Sequence, residues 1–442
     1  MAALERLQKS ENDEYQYVPV TEDEREKQRA LSSNGDILFS ILVPVYCTPE
    51  TYFREMIQSV LDQSYQNWEL LLGDASPSEG LKFIIEEIND KRVKYIKINE
   101  NKGISANTNV VLKEAAGQYI GLLDHDDVLT PDALYCVYEA VKDSKVKGIC
   151  PKLIYSDEDK GDGEMKFFYD LNAKPAFDQD YLWSNNYICH FTVMEAELMK
   201  KLKFRSEFDG AQDFDIILRA VREIEKERKN HIVNSQVVNI SRVLYHWRCH
   251  MDSTAVNPQS KLYAYEAGKC AVEEDLQIRG IEADVYHSRH LGFYRVCFKA
   301  IFRDRPEVAM VAGPVYKRGR IWGGARDKTG RVLYSGLIKG FSGGHLHKAG
   351  VWQQCYAADF EHASFRENLF IEFLESQEWL VQKMFQGQFP EAVMKSSQTE
   401  IFGFFNEIIK NLDKELQDSL CMAWANYVYG KAMVILYDPE ME

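Results

Sequence analysis

Residues 37–45 read ILFSILVPV, a nearly continuous apolar run that is typical of a strand buried on both faces. Strand-like runs follow at 68–73, 93–98 and 118–123, and apolar residues at helical spacing predict helices between them. Thr48 and Pro49 are typical of an N-cap and a first-turn proline for the first of these helices. The alternation of strands and helices up to residue 143 predicts a parallel α/β sheet.

Acidic residues follow two of the predicted strands at the point where each strand ends. Asp74 directly follows WELLLG (68–73), and Asp124 directly follows QYIGLL (118–123). Asp124 and Asp126 both belong to the segment LLDHDDVL (122–129). Ligands bind outside the carboxyl ends of strands in open α/β sheets, so these acids are expected at one edge. In extended chain Asp124 and Asp126 would point the same way and suit a hard divalent cation. The alternative is a solvated acidic turn in which Asp127 forms part of a helix cap.

The composition of the 442-residue chain argues against several classes of protein. Its 53 Lys+Arg against 68 Asp+Glu leave a net charge of −15, whereas a protein devoted to nucleic acid needs a basic surface. No apolar run approaches the roughly 20 residues that span a bilayer, and the polar N-terminus lacks a signal-peptide core. The nine cysteines are scattered without a CxxC pair, which predicts reduced, cytosolic thiols.

Seven ordered blocks carry a resemblance to a known family. They are SILVPVY (40–46), WELLLGDAS (68–76), NKGISANTN (101–109), LLDHDDVLTPDAL (122–134), IYSDEDK (154–160), AQDFDIILRA (211–220) and YHWRCHMDSTA (245–255). Together they resemble family 2 glycosyltransferases, most closely bacterial members that build rhamnan-type, O-antigen-like or other surface polysaccharides. The resemblance implies the α/β GT-A fold, with a Rossmann-like, mostly parallel sheet, over residues 37–290. Residues 1–36 would be a polar lead-in.

The resemblance also implies roles for individual residues in an inverting transfer from a nucleotide-diphosphate sugar to an acceptor hydroxyl. Asp213 would be the catalytic base, while Asp124, Asp126 and His250 would hold Mn²⁺ or Mg²⁺. Asp74 would accept a hydrogen bond from the N3–H of a pyrimidine. The nucleotide-sugar pocket would comprise Pro44, Tyr46, Asp74, Lys102, Asn109, Asp124, Trp247 and Arg248.

Several of these residues also have a purely structural interpretation. Tyr46 could be a packed aromatic at the strand end, Asp74 could cap the following turn, and Trp247 could pack rather than stack on a sugar. Asp213 could be only the N-cap of the helix predicted at 214–225, in which case Asp215 is the second candidate for the base.

The chain departs from the family pattern at two positions that bear on the nucleotide. Gly73 precedes Asp74 where the family often has a second Asp, and Thr108 precedes Asn109 where it often has Arg. The sequence therefore does not decide whether the nucleobase of the donor is uracil, thymine or guanine, although UDP- and dTDP-linked donors are favoured.

Residues 291–442 form a second region. Residues 291–352 are predicted to be β-rich with many glycines, 364–420 to be helical, and KAMVILYDPEME (431–442) to include a strand. This region resembles the later half of a second glycosyltransferase unit, but no second strand–Pro–x–Tyr block and no second DxD precede it. We therefore expect an accessory α/β domain without its own donor site, which binds acceptor glycan or covers the first domain.

The sequence thus predicts a metal-dependent inverting glycosyltransferase that acts on a growing surface polysaccharide or a lipid-linked acceptor. It predicts a cytoplasmic protein with no transmembrane segment and leaves open peripheral contact with the inner face of the membrane. The alternatives are a non-catalytic glycan- or nucleotide-binding partner in an assembly complex and, third, a nucleotide-sugar hydrolase.

Overall fold

A computed structural model describes residues 15–226, 236–249, 262–339, 345–376, 414–431 and 433–441. Its main element is a nine-stranded sheet. The strands are β1 (Phe39–Val45), β2 (Trp68–Asp74), β3 (Val93–Lys97), β4 (Tyr119–Leu122), β5 (Val128–Leu129), β6 (Leu153–Gly161), β7 (Phe168–Asn172), β8 (Thr192–Glu195) and β9 (Val237–Arg248). Their order is β3-β2-β1-β4-β8-β6-β9-β5, and β7 pairs with β6.

Helices accompany this sheet along the chain. They are α1 (Glu22–Leu31), α2 (Glu50–Leu61), α3 (Lys82–Ile88), α4 (Ile104–Glu114), α5 (Ala133–Val146), α6 (Gln179–Ser184), α7 (Ala196–Leu202), α8 (Gln212–Lys226) and α9 (Leu262–Ile278). Successive residues of β1 enter different cores because strand side chains alternate between faces. Ile41 packs in a cluster with residues of α2 and α5, whereas Leu42 packs in one with residues of α4 and α8. The central strand is therefore buried on both faces, as its apolar run predicts.

The order β3-β2-β1-β4 is parallel throughout, which confirms the α/β expectation for the first half of the chain. The predicted cap of α2 is wrong. The N-cap residue is Pro49 without a side-chain hydrogen bond, and the buried Thr48 hydroxyl has no partner among the described residues. A capping box between Thr21 and Glu24 starts α1 in the polar lead-in.

Beyond β4 the sheet is mixed. β8 pairs antiparallel with both β4 and β6, while β9 runs parallel to β6 and antiparallel to the short β5. The β5–β9 pairing sets Val128 opposite His246. It therefore carries the end of β9 to the acidic segment that follows β4.

The region after residue 282 contains smaller sheets. Its strands are β10 (Ala283–His287), β11 (Tyr294–Phe298), β12 (Val308–Ala312), β13 (Val315–Lys317), β14 (Arg320–Gly323), β15 (Ala325–Arg326), β16 (Gln353–Cys355), β17 (Ala357–Ala358), β18 (Ala363–Phe365) and β19 (Val434–Tyr437). Its helices are α10 (Ile301–Asp304), α11 (Glu367–Ser376) and α12 (Lys414–Gly430). Strands β16-β19-β12-β18 form one sheet, and a separate core gathers around the buried Trp424. The predicted β-rich and helical stretches are present, although 377–413 lies outside the described residues.

A buried ion pair joins this region to the main sheet domain. The guanidinium of Arg305 lies 2.7 and 3.2 Å from the carboxylate oxygens of Asp180 in α6, and both side chains are almost fully buried. Arg305 also lies 4.9 Å from the ring centroid of Trp183. Nearby, the backbone N–H of Gln354 donates to Asp178.

None of the helices in the described ranges combines the length and apolar character needed to span a membrane.

We expect Arg305→Ala to lower the free energy of unfolding by about 3–5 kcal/mol, because it leaves the Asp180 carboxylate buried without its cation. The matched control is Arg303→Ala, which removes an Arg whose own side chain is exposed and pairs with the exposed Glu282, and it should change stability little. Urea unfolding of both variants measures the difference. Equal midpoints for the two variants would contradict the role given to the buried pair.

Candidate active site

A cleft opens where β1 and β4 end, at the edge of the sheet that the sequence indicates. Its described walls enclose about 70 Å³. They comprise Leu42, Pro44, Ile104, Thr108, Leu122, Leu123, Asp124, Cys189, His190, Thr192, Phe204, Gln212 and Asp213. The fold therefore brings Pro44, Asp124 and Asp213, which come from three separate sequence blocks, into one cleft.

The acidic segment forms a turn rather than extended chain, since the Asp127 backbone N–H donates to the Asp124 carbonyl at 3.3 Å. The side chains of Asp124 and Asp126 are 51% and 22% exposed. Asp127 is buried and is not a helix cap. Its two oxygens accept from the Tyr245 hydroxyl at 2.5 Å and from the Arg248 backbone N–H at 2.7 Å. Asp127 thus ties the turn to β9 and leaves the other two acids facing the solvent side.

The acids of this turn sit close enough to affect one another. Desolvation in the cleft raises the pKa of Asp124 above its ordinary value, His190 opposes this rise, and Asp126 adds to it. A divalent cation would relieve the repulsion between the two carboxylates, and carboxylate oxygens are ligands that Mg²⁺ and Mn²⁺ accept. No set of three or more His, Cys, Asp or Glu side chains within the described ranges is placed to hold a metal. Asp124 and Asp126 would therefore supply only part of a coordination shell, and His250 lies outside the described residues.

Arg248 is not among the described residues that line the cleft, which contradicts its predicted place in the nucleotide-sugar pocket. Its side chain is fully buried at the end of β9. Nε donates to the Asp126 carbonyl at 2.5 Å, Nη1 donates to the Gly163 carbonyl at 2.8 Å, and Nη2 pairs with Glu55 at 2.7 Å. Arg248 thus stabilises the acidic turn from its buried side.

Two further predicted contacts need correction. Asn109 uses both ends of its amide on the backbone of Phe204, at 2.8 and 2.9 Å, and so fastens α4 to the segment before α8. Lys102 lies at the surface in an ion pair with Glu100 and is not among the cleft-lining residues described. Asn109 therefore supports the fold, and Lys102 is a surface residue outside the cleft.

Asp74 and Tyr46 lie at neighbouring strand ends, because Val45 pairs with Asp74 in the register of β1 and β2. Asp74 is buried and accepts from the Ser76 backbone N–H at 2.8 Å and from the Tyr95 hydroxyl at 2.6 Å. Asp74 thus caps the turn that follows β2, which is the structural alternative considered for it. Tyr46 is 49% exposed, so it is not a packed strand-end aromatic.

The two candidates for the base have different environments. Asp213 lies in the first turn of α8 and lines the cleft, where the Asn186 side-chain amide donates to it at 3.2 Å. Asp215 is buried between Arg205 at 2.5 Å and Arg219 at 2.7 Å. Asp215 is therefore a structural residue, and Asp213 is the acid that a ligand can reach.

His190 is a cleft residue that the sequence reasoning missed. Its Nε2 lies 3.7 Å from Asp124, its Nδ1 lies 3.0 Å from Glu158, and its ring stacks on Tyr245 at a centroid distance of 4.7 Å. Burial opposes its charge, but contacts with Cys189 and Glu158 raise the pKa of His190 well above its ordinary value. Among the described residues that line the cleft, it is the one basic side chain.

The signal for His190 is present only indirectly in the sequence. Residues 157–159 are three consecutive acids in a strand, and all three are buried. Buried carboxylates need cationic or hydrogen-bonding partners, so basic side chains from other parts of the chain are expected beside these three acids. Glu158 finds His190 and, at 3.6 Å, Lys174, while Asp159 finds His246 at 2.5 Å. His246 is thus a structural residue, and the half-buried Trp247 lies beside the cleft, 5.8 Å from the His190 ring.

Comparison with known proteins agrees with this architecture. The model of the family described as Glycosyl transferase family 2 matches residues 40–203. The putative colanic acid biosynthesis glycosyl transferase WcaA of Escherichia coli K12 is 32% identical over 42% of this chain and 67% of its own length. The O-antigen biosynthesis protein RfbC of Myxococcus xanthus is 30% identical over 61% of this chain and 21% of its own. An uncharacterized protein of Sinorhizobium fredii, y4gI, is 38% identical over 55% of this chain and 26% of its own.

The chain spans only about a fifth and a quarter of the lengths of RfbC and y4gI, but two thirds of WcaA. The segment matched by the family model runs from β1 through the acidic turn and the His190 segment to the end of α7. The chain belongs to glycosyltransferase family 2, and its sheet domain has the GT-A fold.

Proposed function

We propose that the protein transfers a sugar, with inversion, from a nucleotide-diphosphate donor to a hydroxyl of a growing surface polysaccharide or a lipid-linked acceptor. The observation that carries the proposal is the meeting of the acidic turn and Asp213 in one cleft. RfbC and WcaA are named for O-antigen and colanic acid biosynthesis, which supports a polysaccharide as the product.

The diphosphate is proposed to lie over the acidic turn, within reach of His190. Asp124 and Asp126 would hold Mn²⁺ or Mg²⁺, and this cation would supply positive charge for the leaving diphosphate. His190 adds an imidazole on the same side of the cleft, held in place by Glu158 and by stacking on Tyr245. Asp127 and Arg248 hold the turn without touching the donor.

Asp213 is proposed as the general base. It removes the proton from the acceptor hydroxyl as that oxygen bonds to the anomeric carbon and the bond from this carbon to the diphosphate oxygen breaks. Asn186 orients the carboxylate through its hydrogen bond to Oδ2. The helix N-terminus stabilises the carboxylate charge, but proton removal needs to proceed only as the new bond forms.

The nucleotide base is proposed to lie against Tyr46, whose side chain is open to solvent beside Asp74. The N3–H of a pyrimidine is proposed to bond to Asp74, whose buried carboxylate would exchange its hydrogen bond from the Tyr95 hydroxyl for one from the nucleobase. This placement favours UDP- or dTDP-linked donors.

Calorimetric titration with UDP, dTDP and GDP, with and without Mn²⁺, tests the donor site. We expect binding of a uridine or thymidine diphosphate that requires Mn²⁺ and weakens at least about tenfold, or about 1.4 kcal/mol, in Asp126→Asn. Asp143→Asn makes the same charge change at an exposed position of α5 and should bind like the parent. Absence of metal-dependent binding to all three nucleotides would instead favour a non-catalytic binding partner.

A pair of matched variants tests the base. Asp213→Asn should lower the transfer rate by about 10²–10⁴-fold while the unfolding midpoint stays unchanged, because this side chain faces the cleft. Asp215→Asn should lower the free energy of unfolding by about 3 kcal/mol, because Arg205 and Arg219 lose their buried anion. Transfer assays and urea unfolding of both variants give the answer, and full activity of Asp213→Asn would refute the assignment.

A second pair tests the phosphate contact. His190→Gln should weaken UDP binding about tenfold, the effect of losing one charge-assisted hydrogen bond. Lys102→Gln removes a cation that lies outside the cleft and should leave the affinity unchanged. Titration of each folded variant with UDP and Mn²⁺ compares them, and the reverse order of effects would show that the diphosphate lies elsewhere.

A further inference from the structure

A second and larger cavity lies in the region that follows β12. It has a volume of about 490 Å³, within the range of roughly 300–1,000 Å³ that small-molecule sites occupy. It lies between β14, the segment 359–362 and the beginning of α12. Its described lining comprises Val315, Trp322, Gly323, Asp359, Phe360, Glu361, His362, Lys414, Gln417 and Cys421. None of these residues belongs to the transfer site described above.

Close backbone and side-chain contacts hold Asp359 in one part of the cavity wall. Gly324 has a φ of +114°, which favours glycine, and its N–H donates to Asp359 at 2.7 Å. A Cβ added to Gly323 would lie 2.2 Å from the same carboxylate, so only glycine allows this approach. Arg326 binds the other oxygen of Asp359 at 2.7 Å. Asp359 is therefore held in one place on this side of the cavity.

The charged side chains among the described lining residues disfavour a phosphate or a nucleotide. Lys414 lies 3.3 Å from both Asp359 and Asp418, and Arg326 is paired with the same two acids. Lys414 is the only Lys or Arg among the described lining residues, and it is already neutralised. Glu361 adds a further negative charge at the surface. An uncharged ligand with many hydroxyl groups fits these hydrogen-bonding side chains better than an anion does.

One of the lining residues is an exposed tryptophan, Trp322. In β14 the side chains alternate, with Ile321 buried and Trp322 56% exposed. The Lys317 ammonium lies 4.7 Å from the indole centroid. Tryptophan is a frequent anchor at binding surfaces because it offers a large apolar face together with a polar N–H. A sugar ring presents the complementary combination, an apolar C–H face surrounded by hydroxyl groups.

We propose that this cavity binds an uncharged segment of the acceptor glycan, with Trp322 against a sugar ring and Glu361 accepting from its hydroxyl groups. The inference rests on the proposed function for the identity of the glycan as acceptor. A glycan held here and at the transfer site would bind more tightly than at either site alone, provided that its length spans both.

The test is binding of the full-length protein, without nucleotide, to an array of short neutral and acidic oligosaccharides from bacterial surface polysaccharides. We expect binding to neutral members that weakens at least tenfold in Trp322→Ala and in Glu361→Gln. Tyr429→Ala, which removes another exposed aromatic of the same region, should bind like the parent. Each variant is first checked for an unchanged thermal midpoint.

Asp126→Asn separates this proposal from the proposed function. Unchanged glycan binding by Asp126→Asn places the glycan away from the donor site, whatever the nucleotide titration shows. The proposal is overturned if no oligosaccharide binds, if both Trp322→Ala and Glu361→Gln bind like the parent, or if acidic members bind best.

Discussion

The acidic turn depends on one buried carboxylate. Asp127 accepts hydrogen bonds from the Tyr245 hydroxyl and the Arg248 backbone, and Arg248 in return donates to the Asp126 carbonyl. These contacts join residues more than 100 positions apart in the chain. Because the buried groups are satisfied by one another, the turn has one position, and that position decides where Asp124 and Asp126 face.

A second group of buried charged residues, Glu158 and Lys174, holds His190 in the cleft. Glu158 lies between His190 and Lys174, and burial alone would raise its pKa, but these two cations lower it to about 2. Lys174 itself is buried and donates to the backbone carbonyls of Ile188 and His190. Such a network costs free energy to desolvate and is stable only with all partners present. In this protein it holds the His190 ring 3.7 Å from Asp124 of the acidic turn.

The region after residue 282 contributes differently. It packs on α6 through the buried pair of Arg305 and Asp180, and it has a core of its own around Trp424. Its cavity is lined by the paired Lys414 and the exposed Trp322, whereas the cleft at the ends of β1 and β4 is lined by Asp124, Asp213 and His190. The two concave surfaces therefore differ in chemistry as well as in place, which is the basis for assigning the donor to one and the glycan to the other.

The sequence by itself determined the parallel half of the sheet, the edge at which the acids lie, the family and the choice of Asp124, Asp126 and Asp213 as leading acids. The sheet and its acidic edge follow from local periodicity and residue order, whereas the family and the choice of Asp213 came from the resemblance that the seven sequence blocks carry. Only the tertiary structure decided that Arg248, Asn109 and Asp215 are structural, that Asp74 caps its turn, and that His190 faces the cleft. The burial and direction of a side chain depend on strand pairings and ion pairs between distant segments, and no local pattern in the chain encodes them.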